Sequence, residues 1–123
     1  MIRLLLLLMV IPTFVLAHEM TPTYPELRQS HVNGVLVTSM TIFNRRSDVE
    51  FYEIQVFSED WKPMPFAAIE RIMKVEYLQT KTFDLYLRDS DIDNIMYVCT
   101  LSKLKKDSIE ATAVASKICS KIK

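Results

Sequence analysis

The chain has 123 residues, half of them hydrophobic, with 15 basic and 15 acidic side chains and a formal net charge of zero. That length and apolar fraction fit one folded globular domain and exclude intrinsic disorder. The balanced charge argues against nucleic acid as a partner, because binding a polyanion needs a strong basic excess.

The first 17 residues stand apart from the rest. Arg3 supplies a positive start, Leu4 to Val10 with Ile11, Phe14, Val15 and Leu16 make an apolar run, and Val15-Leu16-Ala17 ends it at a small residue. These are the three parts of a secretory signal. The run is shorter than the roughly 20 apolar residues a membrane span needs, so it reads as a leader and not an anchor. A lipoprotein would need a cysteine after Ala17, where His18 stands. The expected division is therefore residues 1–17 as signal peptide and 18–123 as one periplasmic or secreted domain without a stable membrane anchor. Loss of Arg3 leaves the mature chain at about −1.

Both cysteines, Cys99 and Cys119, fall in the mature part. An even count in an exported chain favours one structural disulfide over two free thiols. A metal pair would want closer C-x-x-C spacing.

Along the mature chain, short apolar segments alternate with polar turns. The Asn33-Gly34 dipeptide marks a hairpin turn, because both residue types tolerate positive φ. The β-branched run Val35 to Phe43 follows as a strand. In Val49 to Phe57, Tyr52, Ile54 and Val56 alternate with Glu53 and Gln55, so one face is buried and the other wet. Trp61 to Phe66 carries Pro63 and Pro65 and predicts an edge strand or a crossing between sheets. Ala67 to Met73 has the composition of a helical turn. Ile72 to Leu78 predicts a strand with Met73, Val75 and Tyr77 on one side. Thr82 to Arg88 alternates cleanly, with Phe83, Leu85 and Leu87 inward. After the polar turn Asp89 to Asn94 come a strand from Ile95 to Leu104 and a final strand from Thr112 to Ile122. In that last hairpin Cys99 can face Cys119. About seven strands at regular spacing predict an all-β, two-sheet sandwich.

The order of these segments resembles the amino-terminal immunoglobulin-like domain of bacterial pilus-assembly chaperones. The resemblance lies in Met20-Thr21-Pro22, in Phe43-Asn44 leading to Glu53-Ile54-Gln55-Val56-Phe57, in Leu78 to Leu87, and in Met96-Tyr97-Val98-Cys99. It covers nearly the whole mature chain by pattern and order. It implies a periplasmic protein binder, chaperone-like, whose last strand offers alternating apolar side chains to a partner's incomplete sheet. Val114, Ile118 and Ile122 are the residues in that position, and Arg28 with Lys117 or Lys121 are those placed to hold a partner's terminal carboxylate. The plainer alternative is that the apolar residues pack into the core, and that the lysines guard an edge against aggregation. The family's chaperones carry a second domain, for which this chain has no room after Lys123. A structural role on a cell surface or virion is a further alternative.

Catalytic chemistry is hard to build from what remains. Two histidines, one glycine and two cysteines provide no phosphate loop, nucleophile elbow or H-E-x-x-H motif. The expectation is a non-enzyme without cofactor. His18 would become the mature amino terminus, and a terminal amine with its imidazole can chelate copper if His31 folds back to help. The plainer reading of His18 is a frayed terminal residue. Asp89-Ser90-Asp91-Ile92-Asp93-Asn94 places carboxylates at alternate positions as calcium loops do. It lacks the glycine and glutamate such a loop needs and reads as a solvated turn.

Overall fold

The computed structural model describes residues 17–103 and 115–122. Two four-stranded antiparallel sheets pack face to face. The first holds β1 (Glu19–Thr21), β2 (Arg28–Gln29), β3 (Val35–Phe43) and β6 (Thr80–Arg88); the second runs β5 (Ile72–Lys74), β4 (Phe51–Ser58), β7 (Ile95–Lys103), β8 (Lys117–Lys121). This is the expected all-β sandwich.

The alternation of residue types sets which face of each long strand is buried. Tyr52, Ile54 and Val56 on β4, Leu85 and Leu87 on β6, and Met40 and Ile42 on β3 meet in one core between the sheets. Val98 joins them from β7 and Ile122 from just beyond β8. A one-residue slip would turn each of these sets to water, so the hydrophobic pattern fixes the register. The registers are long and regular: nine pairs join β3 to β6, and β4 meets β7 from Phe51↔Lys103 to Ser58↔Ile95 with one irregularity at Phe57/Ser58.

β1 and β2 both pair with β3, along opposite ends of its one edge. The turn from β2 to β3 closes with the Val35 N–H donating to Val32 O at 3.2 Å. Only Gly34 takes positive φ there, at +79°, the conformation a glycine adopts without Cβ strain.

Several expectations need correction. No helical turn forms across Ala67 to Met73. Ala67 exchanges both backbone hydrogen bonds with Tyr86, at 3.0 and 2.9 Å, and Arg71 O accepts from Ile54 N–H at 2.8 Å. Groups that a helix would use internally are taken by two flanking strands. The segment with Pro63 and Pro65 is a crossing that touches β4 at Phe57↔Pro63 and β6 at Ala67↔Tyr86. Tyr77 is exposed, because β5 stops at Lys74 and a turn at Leu78, with φ of 62°, carries the chain to β6. Asp89–Asn94 is a short 3-10 helix. The structure also adds the short strands β1 and β2; with Trp61 to Phe66 a crossing, the described residues hold eight strands.

One buried polar hub sits where β3 ends. Asn44 donates through Nδ2 to Val49 O at 2.7 Å and Val75 O at 2.8 Å. Its Oδ1 accepts from the Arg46 N–H and from the Tyr52 hydroxyl. One amide thus ties three chain segments, and a buried amide so satisfied does not carry the usual burial penalty. Burial raises the Tyr52 phenol to about 12, so it acts as a hydrogen-bond donor throughout the physiological range.

Candidate functional site

The second sheet ends at β8, which pairs with β7 from Tyr97↔Lys121 to Leu101↔Lys117. Ile122 N–H donates to Met96 O, and Ser102 N–H donates to Ser116 O. By the two-residue period of an antiparallel ladder, the backbone groups of Ile118 and Ser120 also face β7. Those of Lys117, Cys119 and Lys121 face outward. At Lys121 the outward N–H donates to Thr23 O at 3.0 Å. Lys117 and Cys119 have no such backbone partner among the described residues. The open part of this edge is therefore its first half, bounded at the far end by Thr23.

Cys99 and Cys119 face each other across β7 and β8 and form the expected disulfide, with Cα atoms 4.0 Å apart. They occupy a pair without exchanged backbone bonds, the position where facing Cα atoms come closest.

The residues singled out for partner binding divide by location. Lys117 and Lys121 are exposed on β8. Ile118 is partly buried and packs against the core, and Ile122 is 4% exposed within it. Arg28 is exposed on β2, in the other sheet, at an open recess that Tyr24 and Glu26 also line. Val114 lies outside the described residues. The Lys117 ammonium stands 4.0 Å from the centre of the Phe57 ring and 5.4 Å from Trp61. Trp61 is stacked on Tyr97 with ring centres 4.1 Å apart. This corner fixes the outer end of the edge strand through a cation–aromatic contact.

His18 is not frayed. It is 1% exposed, with Nε2 2.8 Å from Thr100 Oγ1 and Nδ1 3.0 Å from Ser116 Oγ. Its ring centre lies 4.6 Å from that of Tyr52. Burial pushes the imidazole down to about 4; the Arg46 charge acts in the same direction, and a hydrogen bond at Thr100 opposes both. The ring is neutral at pH 7, with one nitrogen donating and the other accepting. It joins the start of β1 to β7 and to the residue before β8. Copper chelation with His31 finds no support in this arrangement. Both ring nitrogens face hydroxyls, and His31 lies in the turn before β3 while His18 adjoins its far end. Nine residues of strand separate the two histidines, roughly 30 Å at the usual rise.

Among the described residues no three His, Cys, Asp or Glu side chains stand close enough to hold a metal ion. In the acidic turn, Asp91 is engaged by Arg88 Nε at 2.7 Å. No helix among the described residues is long and apolar enough to cross a membrane.

No family model matches this sequence, and no curated protein does. Solved structures do. The E. coli chaperone DraB matches with a TM-score of 0.59 at 15% identity, covering 86% of this chain and 53% of DraB. The likeness is one of fold. It establishes the immunoglobulin-like sandwich, and the chain spans about half the length of that chaperone. A FixG-related protein from Vibrio parahaemolyticus matches at 15% identity with a TM-score of 0.46, over 85% of this chain and 94% of that one.

Sequence reasoning missed the His18 network. The only trace of it was the polar pair Thr100 and Ser102 at positions of β7 that alternate with Val98 on the inner face.

Proposed function

We propose that this chain is an exported, non-catalytic protein-binding domain, chaperone-like or part of an envelope or surface assembly, that pairs the edge of β8 with a strand of its partner. The observation that carries the reading is the pair of outward backbone positions at Lys117 and Cys119, without a backbone partner among the described residues, on a strand pinned by a disulfide. Main-chain hydrogen bonds to an exposed edge provide affinity in this mode of recognition, and side-chain contacts provide register. The fold shared with a chaperone supports the same reading. Residues 1–17 would direct export and be removed.

Within this proposal the residues take different parts. Lys117 and Lys121 flank the pairing track, and Arg28 offers a cation for a partner's terminal carboxylate. Val114 would extend the track upstream. Ile118 and Ile122 hold β8 in register from the core side.

Lys117→Pro tests the reading. Its N–H points away from β7, so proline spares the β7–β8 ladder and is tolerated on an edge strand. It removes the outward donor together with the ammonium contact to Phe57 and Trp61, which Lys117→Ala also removes while keeping the N–H. Partner recovered from its native envelope or particle should fall at least tenfold with Lys117→Pro relative to Lys117→Ala, the two variants melting at the same temperature. Full recovery on a folded Lys117→Pro chain would show that this edge is not the site.

A further inference from the structure

A second edge is open in the other sheet. β6 pairs with β3 through its odd-numbered positions: Gln79 O accepts from Asn44 N–H, and Gly34 O from Asp89 N–H, in the same register. Its even-numbered positions therefore turn their backbone N–H and C=O groups outward. At Tyr86 both groups are met by Ala67, at 2.9 and 3.0 Å, so one extended residue already lies along this edge as a single rung. The chain then swings away toward β5. At Asp84 and Thr82 no backbone partner replaces it among the described residues.

In place of that partner there is a cavity of about 240 Å³ beside Thr82 and Asp84, walled by Ala68, Ile69, Met73 and Phe83. Ile69 is 95% exposed at its rim, and Ile72 is half exposed nearby. Of the charged groups at the cavity, Lys81 and Glu70 form an ion pair at 2.8 Å, and Asp84 is held by a neutral hydroxyl, that of Ser39. The cavity thus offers two rungs of backbone unfilled among the described residues, and walls that are largely apolar.

We propose that this edge is a strand-addition site for an extended, apolar peptide segment of a partner protein. Its backbone would continue the rung begun by Ala67 along Asp84 and Thr82, and one apolar side chain would fill the cavity between Ile69, Met73 and Phe83. Edge addition of this kind takes its affinity from the main chain and its selectivity from a side-chain pocket. The Ala68, Ile69, Met73 and Phe83 walls select an apolar side chain, since a polar group placed against them without a partner is costly. The site is independent of the β8 edge, and either reading can fail alone.

The probe is the blocked peptide acetyl-Thr-Val-Thr-Leu-Thr-Val-Thr-amide, titrated into the isotope-labelled full domain. The amide signals of Thr82 and Asp84 should shift, and their hydrogen exchange should slow at least tenfold at saturation. Ile69→Asp and Thr82→Pro should each weaken binding at least tenfold. Neither change removes a backbone bond of the β3–β6 ladder: Ile69 is in solvent, and the Thr82 N–H points outward, where proline is tolerated. Thr82→Pro loses in addition the exposed hydroxyl contact with Thr41, 3.1 Å long. If Thr82→Pro fails to fold, Ile69→Asp decides. No binding at millimolar peptide would overturn the proposal. So would undiminished binding to Ile69→Asp, or shifts confined to Lys117 and Cys119.

Discussion

His18 carries the clearest pH dependence in the molecule. Its imidazole ionises at about 4 in the folded chain against 6.5 when free. A base with a depressed folded value stabilises the fold while neutral, so the contribution is complete above pH 6.5. It is lost as pH falls from 6.5 toward 4, because the unfolded chain takes up the proton first. The displacement corresponds to about 3 kcal/mol. Denaturant unfolding at pH 7 and pH 4.5 should show most of that loss in the wild type, and His18→Gln should lack this part of the pH dependence. A folded-state NMR titration of His18 centred near 6.5 would contradict the assignment. None of this was legible in the sequence. A lone histidine beside a cleavage site has no periodicity to betray its burial, and its partners Thr100 and Ser116 are 82 and 98 residues away.

Strands were legible in proportion to their length and to how one-sided their burial is. β3, β4, β6 and β7 each carry eight or nine residues; the period of two is visible in the residue types of β4 and β6, and β3 shows itself by its β-branched content. β1, β2 and β5 hold two or three residues each, too few for any period, and they exist because β3 and β4 offer backbone partners. The open edge of β8 was legible only through family resemblance, since the part played by Thr23 depends on tertiary contact. The disulfide is the element-scale feature that the sequence did announce. It closes a 20-residue separation, for which constraint of the unfolded chain contributes about 3 kcal/mol. Denatured, unreduced protein should show no free thiol, and the Cys99→Ala, Cys119→Ala double variant should unfold with about 3 kcal/mol less stability. Equal denaturation midpoints for oxidised and reduced protein would remove the bond from the account of stability. The same bond adds to the β7 ladder and to the contacts of β8 with Pro22, Thr23, Phe57 and the core in setting how firmly the proposed pairing edge is presented.

At the scale of the whole molecule, the proposed boundary between leader and domain falls at the first residue the fold uses. His18 and Met20 are both buried, and Met20 belongs to the main core while Ala17 is only partly covered. Glu19 adds an exposed ion pair with Arg45, worth little by itself. β1 also lies against the region of β8, where Ser120 Oγ donates to Pro22 O at 2.8 Å and Thr23 O caps Lys121. Residues 18–23, the first after the proposed leader, therefore close both sheets at once. A chain beginning at His18 should fold with the full melting temperature and an intact mass lacking residues 1–17. A chain beginning at Pro22 loses the buried His18 and Met20 side chains and the β1 rungs. Removing a buried methionine alone costs about 2–5 kcal/mol, so this truncation should be among the most destabilising changes outside the core centre. It should also loosen β8, seen as faster amide exchange at Lys121 than in the longer chain. Equal stability of the two chains would mean that β1 contributes nothing to closing the sandwich, and that the boundary lies further inside the sequence.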